Sequence, residues 1–281
     1  MSVRIIVDST ADLMPAIKAR VEVVPLTVHF GEEEYIDGVT ISHKEFYEKL
    51  VETDLVPSTS QANPDAFQSV YEKVTAAGDS AVVLAIASGL SGTCQSANIA
   101  AADFDNIYVV DSATVAIGSG ILCEYALRLA DSGMEAGEIA ARLNEVKGRI
   151  HVIAMLDTLE YLWKGGRLSR TAAVAGGILN IKPVLAIVKG EIKVLGKARG
   201  SKQANNLLQS EIEKAGGVDF DMPLMLGYTG LSDALLKKYI EDSKALWENS
   251  RAELNSTIIG SVIGTHAGPG AVAVAFFAKE A

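Results

Sequence analysis

The sequence predicts an α/β protein in two parts. A mostly parallel α/β sheet domain is expected over residues 1–150, and an α+β domain with a mixed or antiparallel sheet over residues 151–281. Three observations carry this. Strand-like and helix-like runs alternate through the first half, as βαβ units do. The run Ala81–Ala87 is apolar at every position, the pattern of a strand buried on both faces of a parallel sheet. In the second half, Val184–Val188 and Ile192–Gly196 flank Lys189-Gly190-Glu191, which reads as a hairpin. No Pro- or Ser-rich linker separates the halves, so they are expected to pack closely.

In order along the chain, Val3–Val7 and Val23–Val28 read as strands. Ser42 opens a helix with the capping-box pattern Ser42-x-x-Glu45. Asn63-Pro64 opens another, with Pro at the first helical position. After Ala81–Ala87 come a strand at Ile107–Val110, an Ala-rich helix running to about Ala130, and a helix over Ala136–Lys147. In the second half, Val152–Leu156 is a strand, and Thr158–Lys164 is a short helix ended by Gly165-Gly166. Thr171–Asn180 is a helix of small residues. The hairpin follows, then a helix (Lys202–Lys214), a strand (Pro223–Tyr228), a helix (Asp233–Trp247) and two closing strands, Ile258–Ile263 and Ala271–Ala278.

Composition narrows the function. The chain carries 25 Lys and Arg against 35 Asp and Glu, a net charge of −10. That argues against nucleic-acid binding, which shows a basic balance. Charge is nevertheless uneven: from Lys164 to Lys202 there are nine basic residues and one acid, Glu191. The remaining sixteen basic and thirty-four acidic residues lie elsewhere. Such an island is a candidate docking face for an anion or an acidic partner. Cys94 and Cys123 lack metal-ligand spacing and read as reduced, buried thiols. An acid at position 8 comes too early for a signal peptide, and no apolar run approaches the ~20 residues that span a bilayer. A cytoplasmic protein with at most transient membrane contact is expected.

Three turns gather polar groups at the ends of apolar runs. They are Asp8-Ser9-Thr10-Ala11-Asp12, Ser88-Gly89-Leu90-Ser91-Gly92-Thr93 and Gly264-Thr265-His266-Ala267-Gly268-Pro269-Gly270. The third is read as a tight turn between two strands. In parallel α/β sheets, ligands bind at the carboxyl ends of strands, and helix N-termini there offer N–H groups to an anion. A single Ser or Thr in such a place is ordinarily a helix cap. Three such turns, one bearing a His among glycines, point to a shared polar site.

Taken with Thr59-Ser60-Gln61, Gln95-Ser96-Ala97, Val110-Asp111-Ser112, Leu156-Asp157-Thr158-Leu159-Glu160-Tyr161-Leu162, Gly165-Gly166-Arg167-Leu168-Ser169 and Ile181-Lys182-Pro183, these turns form an ordered set. The set resembles the DegV family of bacterial fatty-acid-binding proteins, which includes the acyl-carrier subunits of fatty acid kinase. The likeness runs from about Val3 to the C-terminus. It implies a binding protein, with no catalytic residue, metal or cofactor of its own, that holds one long-chain fatty acid. The resemblance places the carboxylate on Thr59, Ser91, Thr93 and His266, with Ser60, Gly92 and Thr265 beside them in the same motifs. It puts Asp8, Ser9 and Thr10 in a supporting layer of the site. It further implies that a separate ATP-dependent kinase subunit phosphorylates the bound carboxylate and docks on basic residues that map to Arg167, Arg170 and Arg199. The sequence departs from the family pattern at Cys94, where an aromatic is frequent, and at Ala62, where Pro is commoner. Neither change removes a polar ligand; Ala62 loosens its loop.

Two other readings compete. A hydrolase would use Ser91 or Ser9 as nucleophile, His266 as base and Asp8, Asp111 or Asp157 to orient it. No Gly-x-Ser-x-Gly elbow surrounds either serine. A nucleotide or sugar-phosphate enzyme would use the turns as phosphate cradles, but neither a Walker motif nor Gly-x-Gly-x-x-Gly occurs. The four histidines, at 29, 43, 151 and 266, share no metal-ligand spacing.

Overall fold

The computed structural model describes residues 2–170, 180–248, 250 and 254–280. The first strands, β1 (Val3–Asp8) and β2 (Glu22–Val24), join β6 (Ser80–Ala85) and β7 (Ile107–Asp111) in one sheet. Its order is β2-β1-β6-β7 and every pairing is parallel. All of β6 is buried. Successive side chains point to opposite faces, so Val82 and Leu84 enter one core while Ala81 and Val83 enter another. Helices α3 (Pro64–Ala76) and α4 (Thr93–Ala101) supply Phe67, Tyr71 and Ala97 to the second of these cores. Helices α5 (Ile117–Asp131) and α6 (Ala136–Val146) supply Ile121, Leu122, Ile139 and Leu143 to the first. This is the predicted parallel architecture. The predicted capping box is also present: Ser42 opens α2 (His43–Glu52) with reciprocal bonds to Glu45. After β1 there is only one helical turn, α1 (Pro15–Lys18).

The expected strand Val23–Val28 divides at Pro25, which has no N–H for a ladder. The chain beyond it forms β3 (Thr27–Phe30), which pairs antiparallel with β4 (Glu33–Ile36) and β5 (Ser58–Ser60). This three-stranded sheet was not expected from the sequence.

From residue 150 onward the strands build a third sheet. They are β8 (Ile150–Met155), β9 (Ile181–Val188), β10 (Glu191–Arg199), β11 (Met225–Tyr228), β12 (Ser256–Ile258) and β13 (Val272–Phe277). The order is β10-β9-β8-β13-β11-β12, antiparallel except for β11 with β12, so the sheet is mixed as expected. β9 and β10 are the predicted hairpin, with positive φ at both Lys189 and Gly190, as tight hairpin turns require. Helices α8 (Gly200–Lys214) and α9 (Ala234–Asp242) cover one face through Leu208, Ile212, Leu236 and Tyr239. Before them lies the short α7 (Glu160–Lys164). The predicted helix over Thr171–Asn180 falls almost wholly outside the described residues.

Two expected elements differ. The helix Asp233–Trp247 breaks at Ser243 into α9 and α10 (Lys244–Trp247); the Ser243 hydroxyl donates to the Tyr239 carbonyl and accepts from Trp247 Nε1. The run Ile258–Ile263 is not a strand. β12 stops at Ile258 and the chain turns into α11 (Ser261–Ala267). The Tyr47 hydroxyl donates to the Ile259 carbonyl at 2.8 Å, and the Gly260 N–H donates to Asp12 Oδ1 at 2.7 Å. Those bonds take the groups with which a strand would continue.

The two larger sheets share α5, whose first seven residues are all buried. Its faces meet Val7 and Leu84 from one sheet and Val152, Ala273 and Ala275 from the other. Such close approach needs small residues. A Cβ at Gly118 would overlap Thr114 Oγ1, and one at Gly120 would overlap the Asp12 carbonyl oxygen. Gly120→Ala should therefore cost about 1–3 kcal/mol, the range for overpacking a filled core. Gly148→Ala, at a position with no atom within 4 Å of the added carbon, should be nearly neutral. Urea unfolding of both variants measures the contrast, and equal stabilities would contradict the packing argument.

Candidate functional site

A cavity of about 400 Å³ lies between the parallel sheet's strand ends, α11 and the inner face of the C-terminal sheet. It falls within the usual size range of small-molecule sites. Its polar wall is a continuous run of contacts. His266, near the end of α11, places Nε2 3.0 Å from Thr59 Oγ1 on β5. The imidazole packs close against Gly165, where a Cβ would overlap Nδ1. Arg167 follows, donating from Nε to the Leu90 carbonyl at 3.2 Å and from Nη1 to the Gly165 carbonyl at 2.8 Å. Ser91 and Gly92 come next, and a Cβ at Gly92 would overlap the Gln61 amide. Ser60 and Gln61 complete the rim. The rest of the lining is aliphatic: Leu26, Ile86, Val115, Leu185, Ile187 and Ile263 among others.

The structure thus brings Thr59, Ser60, Ser91, Gly92 and His266 to one cavity, although they come from three separate stretches of chain. It places two of the predicted ligands differently. Thr93 is fully buried and outside the lining, and its hydroxyl pairs with that of Ser91 at 2.9 Å. Thr265 is buried and donates back along α11 to the Ser261 carbonyl at 3.0 Å. His266 itself is not in a turn between strands but in the last turn of a short helix.

Asp8, Ser9 and Thr10 do not line the cavity; they hold what does. The Asp8 carboxylate accepts from the Thr10 N–H, from the Thr10 hydroxyl and, at 2.7 Å, from the Ile86 N–H. Burial still pushes this carboxyl above the usual range. Ser9 Oγ accepts from the Leu26 N–H at 3.0 Å. Ile86 and Leu26 are both lining residues. Of the basic island, Arg167 belongs to the cavity wall, which its Gly-Gly-Arg context does not reveal. Arg170 is exposed, with its guanidinium 5.5 Å from the Trp163 ring centre, and Arg199 is exposed at the end of β10.

Electrostatics select the ligand chemistry. Burial, with a smaller effect from the Arg167 charge, pushes the His266 imidazole down to about 4. At neutral pH it is an uncharged donor-acceptor. Arg167 gives the polar wall a positive charge, and no carboxylate lines the cavity among the described residues. A hydrolytic triad is not assembled. His266 Nδ1 is buried without a hydrogen-bond partner among the described residues, so none of their acids orients the ring. Ser91 Oγ meets Thr93 and Ser9 Oγ meets the Leu26 N–H. Asp111 accepts from Ala113 and Asp157 pairs with Lys182. Among the described residues no group of three His, Cys, Asp or Glu side chains is placed to hold a metal ion, and no helix is long and apolar enough to cross a membrane.

A family model described as "Uncharacterised protein, DegV family" matches residues 2–279. A DegV domain-containing protein of Caldanaerobacter subterraneus is 38% identical over 264 residues, covering 92% of this chain and 91% of its own. A Thermus thermophilus structure described as fatty acid binding of a DegV family protein superposes with TM-score 0.87 at 29% identity. The match covers 99% of this chain and all of that one. A stearic acid-binding protein of Eubacterium ventriosum superposes with TM-score 0.84 at 26% identity, covering 98% of this chain and 97% of that one.

The buried imidazole sets a pH dependence. An unfolded His takes up a proton near pH 6.5, whereas His266 in the folded chain does so near 4. Its contribution to stability is therefore complete above pH 6.5 and lost as pH falls toward 4. Against His266→Gln, the wild type should lose about 2–3 kcal/mol over that window in urea titrations. A difference that stays constant with pH would show that the ring is not held neutral.

Proposed function

The chain belongs to the DegV family, and we propose that it is a carrier for one long-chain fatty acid. On this reading the acyl tail lies along the aliphatic wall of the cavity. The carboxylate sits among Thr59, Ser60, Ser91, Gly92 and His266, and a separate ATP-dependent fatty acid kinase subunit converts it to an acyl phosphate. The observation that carries the reading is the division of a single cavity into one hydroxyl-and-imidazole wall and one aliphatic wall.

The chemistry fits the task. A buried carboxylate without donors costs several kcal/mol or more, so the cavity must supply them. The hydroxyls of Thr59 and Ser91 donate, and His266 sets the Thr59 proton. Arg167 balances the charge from the side, with two of its nitrogens already engaged by backbone carbonyls. Its Nε edge is therefore not free for the side-on bidentate grip that would lock the anion. The head group stays available as a nucleophile toward ATP. The tail contributes ~0.8 kcal/mol per buried methylene. Exposed Arg170 and Arg199 are the docking residues in this reading, and residues 151–281 form the lipid-tail-binding domain, with the carboxylate held where it meets the domain of residues 1–150. Action in the cytoplasm, where ATP is available, goes with it. The competing Ser/His hydrolase is disfavoured because neither Ser91 nor Ser9 is bonded to His266, whose Nδ1 meets no acid among the described residues.

Protein purified from bacteria should carry about one fatty acid per chain, read by mass spectrometry of the extracted lipid. Lipid-free protein that also takes up neither oleate nor palmitate would overturn the proposal. Ser91→Ala and His266→Ala should each weaken binding by about 1.5–3 kcal/mol, the worth of a hydrogen bond to a charged group. Arg170→Glu should keep its lipid and lose phosphorylation by a partner kinase with ATP; loss of lipid would move Arg170 into the head-group site.

A further inference from the structure

Helix α11 carries His266 and is held from its opposite end. Its N-cap residue is Gly260, which has no side chain to cap it. The cap comes from Asp12, which lies 248 positions earlier in the chain and accepts the Gly260 N–H at 2.7 Å in a buried bond. A carboxyl at a helix N-terminus both fills a free N–H and meets the positive end of the helix. The Tyr47 hydroxyl grips the preceding carbonyl, Ile259 O, at 2.8 Å. There is no slack around these bonds. A Cβ on Gly260 would stand 3.0 Å from His43 Nε2 and 3.1 Å from Asp12 Oδ1, and one on Gly264 would press into Phe46 and Tyr47. Asp12 is in turn anchored by its own N–H to the carbonyl of Ala116, a cavity-lining residue, at 3.3 Å.

Seven residues make a helix of about 10 Å, too short to hold itself in water. Its position is therefore set by what grips it, and its far end is where His266 meets Thr59. We propose that Asp12 is a positioning residue for His266: by capping α11 across the molecule it fixes the depth at which the imidazole meets Thr59 and the ligand. The proposal rests on the head-group reading above. Asp12 has the surroundings of a group kept for such a purpose. Its second oxygen and both carboxylate oxygens of Asp37 are buried without hydrogen-bond partners. His43 Nε2 is 3.9 Å from Asp37, and the Lys18 charge and the Ser9 and Ser261 hydroxyls face the same pair. Burial pushes the Asp12 carboxyl well above the usual range. The bond to Gly260 needs only an oxygen that accepts, so an amide at this position should serve as well.

The test is a double-mutant cycle on fatty-acid affinity with His266 watched directly. Asp12→Ala should weaken oleate binding tenfold or more, and Asp12→Asn should stay within threefold of wild type. Asp12→Ala with His266→Ala should bind no worse than His266→Ala alone, because the two act through one contact. The ring ¹⁵N signals of His266 should shift in Asp12→Ala and keep their places in Asp12→Asn. Tyr47→Phe removes only the neighbouring bond and should shift the same signals, which secures the reading if Asp12→Ala does not fold. Additive losses in the double variant, or unmoved His266 signals in folded Asp12→Ala and Tyr47→Phe, would overturn the proposal. If His266→Ala alone binds oleate normally, the head-group reading fails instead. The ring signals still report whether Asp12 places the imidazole.

Discussion

The 3.0 Å contact between Thr59 Oγ1 and His266 Nε2 is what makes a site of the cavity. Thr59 belongs to a short edge strand whose ladder runs to β3, and His266 to a helix of seven residues. Neither element has enough intrinsic stability to define a position alone. Each is placed by longer elements. β5 is placed by its ladder to β3, and α11 by Asp12, Tyr47 and the aromatic face of α2. The polar wall is thus the meeting point of two separately supported arms. The neutral state of the imidazole follows from this enclosure, because a ring pressed against Gly165 beside the Arg167 guanidinium cannot hold a proton cheaply.

The same arrangement explains why the interior uses hydroxyls and glycine more than charge. The three close approaches at Gly92, Gly165 and Gly264 bring backbone to side chain without leaving room for a methyl group. Each lets a side chain approach the main chain more closely than any residue with a Cβ would allow. Rigidity at the polar wall is combined with a wall of plain aliphatic side chains, whose interactions are non-directional. Placement is strict where hydrogen bonds must be made and lenient where only apolar surface must be covered.

Much of this was legible in the sequence, and the exceptions have a common cause. The parallel sheet was legible because a run such as Ala81–Ala87 can satisfy its backbone and bury both faces only in the middle of a covered sheet. The hairpin was legible because Lys189-Gly190 supplies its own turn. Thr59, Ser91 and His266 stood out as hydroxyls and a histidine within glycine-rich or motif-like stretches. The small antiparallel sheet was not legible: β5 reads Ser-Thr-Ser, with no apolar face, and is a strand only because β3 pairs with it. Helix α11 was hidden by its composition, since Ile258–Ile263 has the look of a strand. Its helicity begins where Asp12 and Tyr47, more than 200 positions away, take over the backbone. The phase of a helix follows from such contacts as well. Thr265 and His266 are neighbours in sequence yet face different ways, one toward the Ser261 carbonyl and one toward Thr59. The inward turn of Arg167 depends on carbonyls at Leu90 and Gly165 that no local pattern announces.

The span between Asp12 and Gly260 also bears on how the molecule comes into being on the ribosome. Strands β1, β2, β6 and β7 pair only among themselves, so that sheet has every partner it needs once residue 111 has emerged. The polar wall of the cavity does not. Its imidazole sits at position 266, and the helix that bears it docks on a loop 248 residues earlier in the chain. Domains generally fold as units while the chain is being made, from the N-terminal end first. The polar wall of the cavity therefore closes only after the parallel sheet has all of its strands.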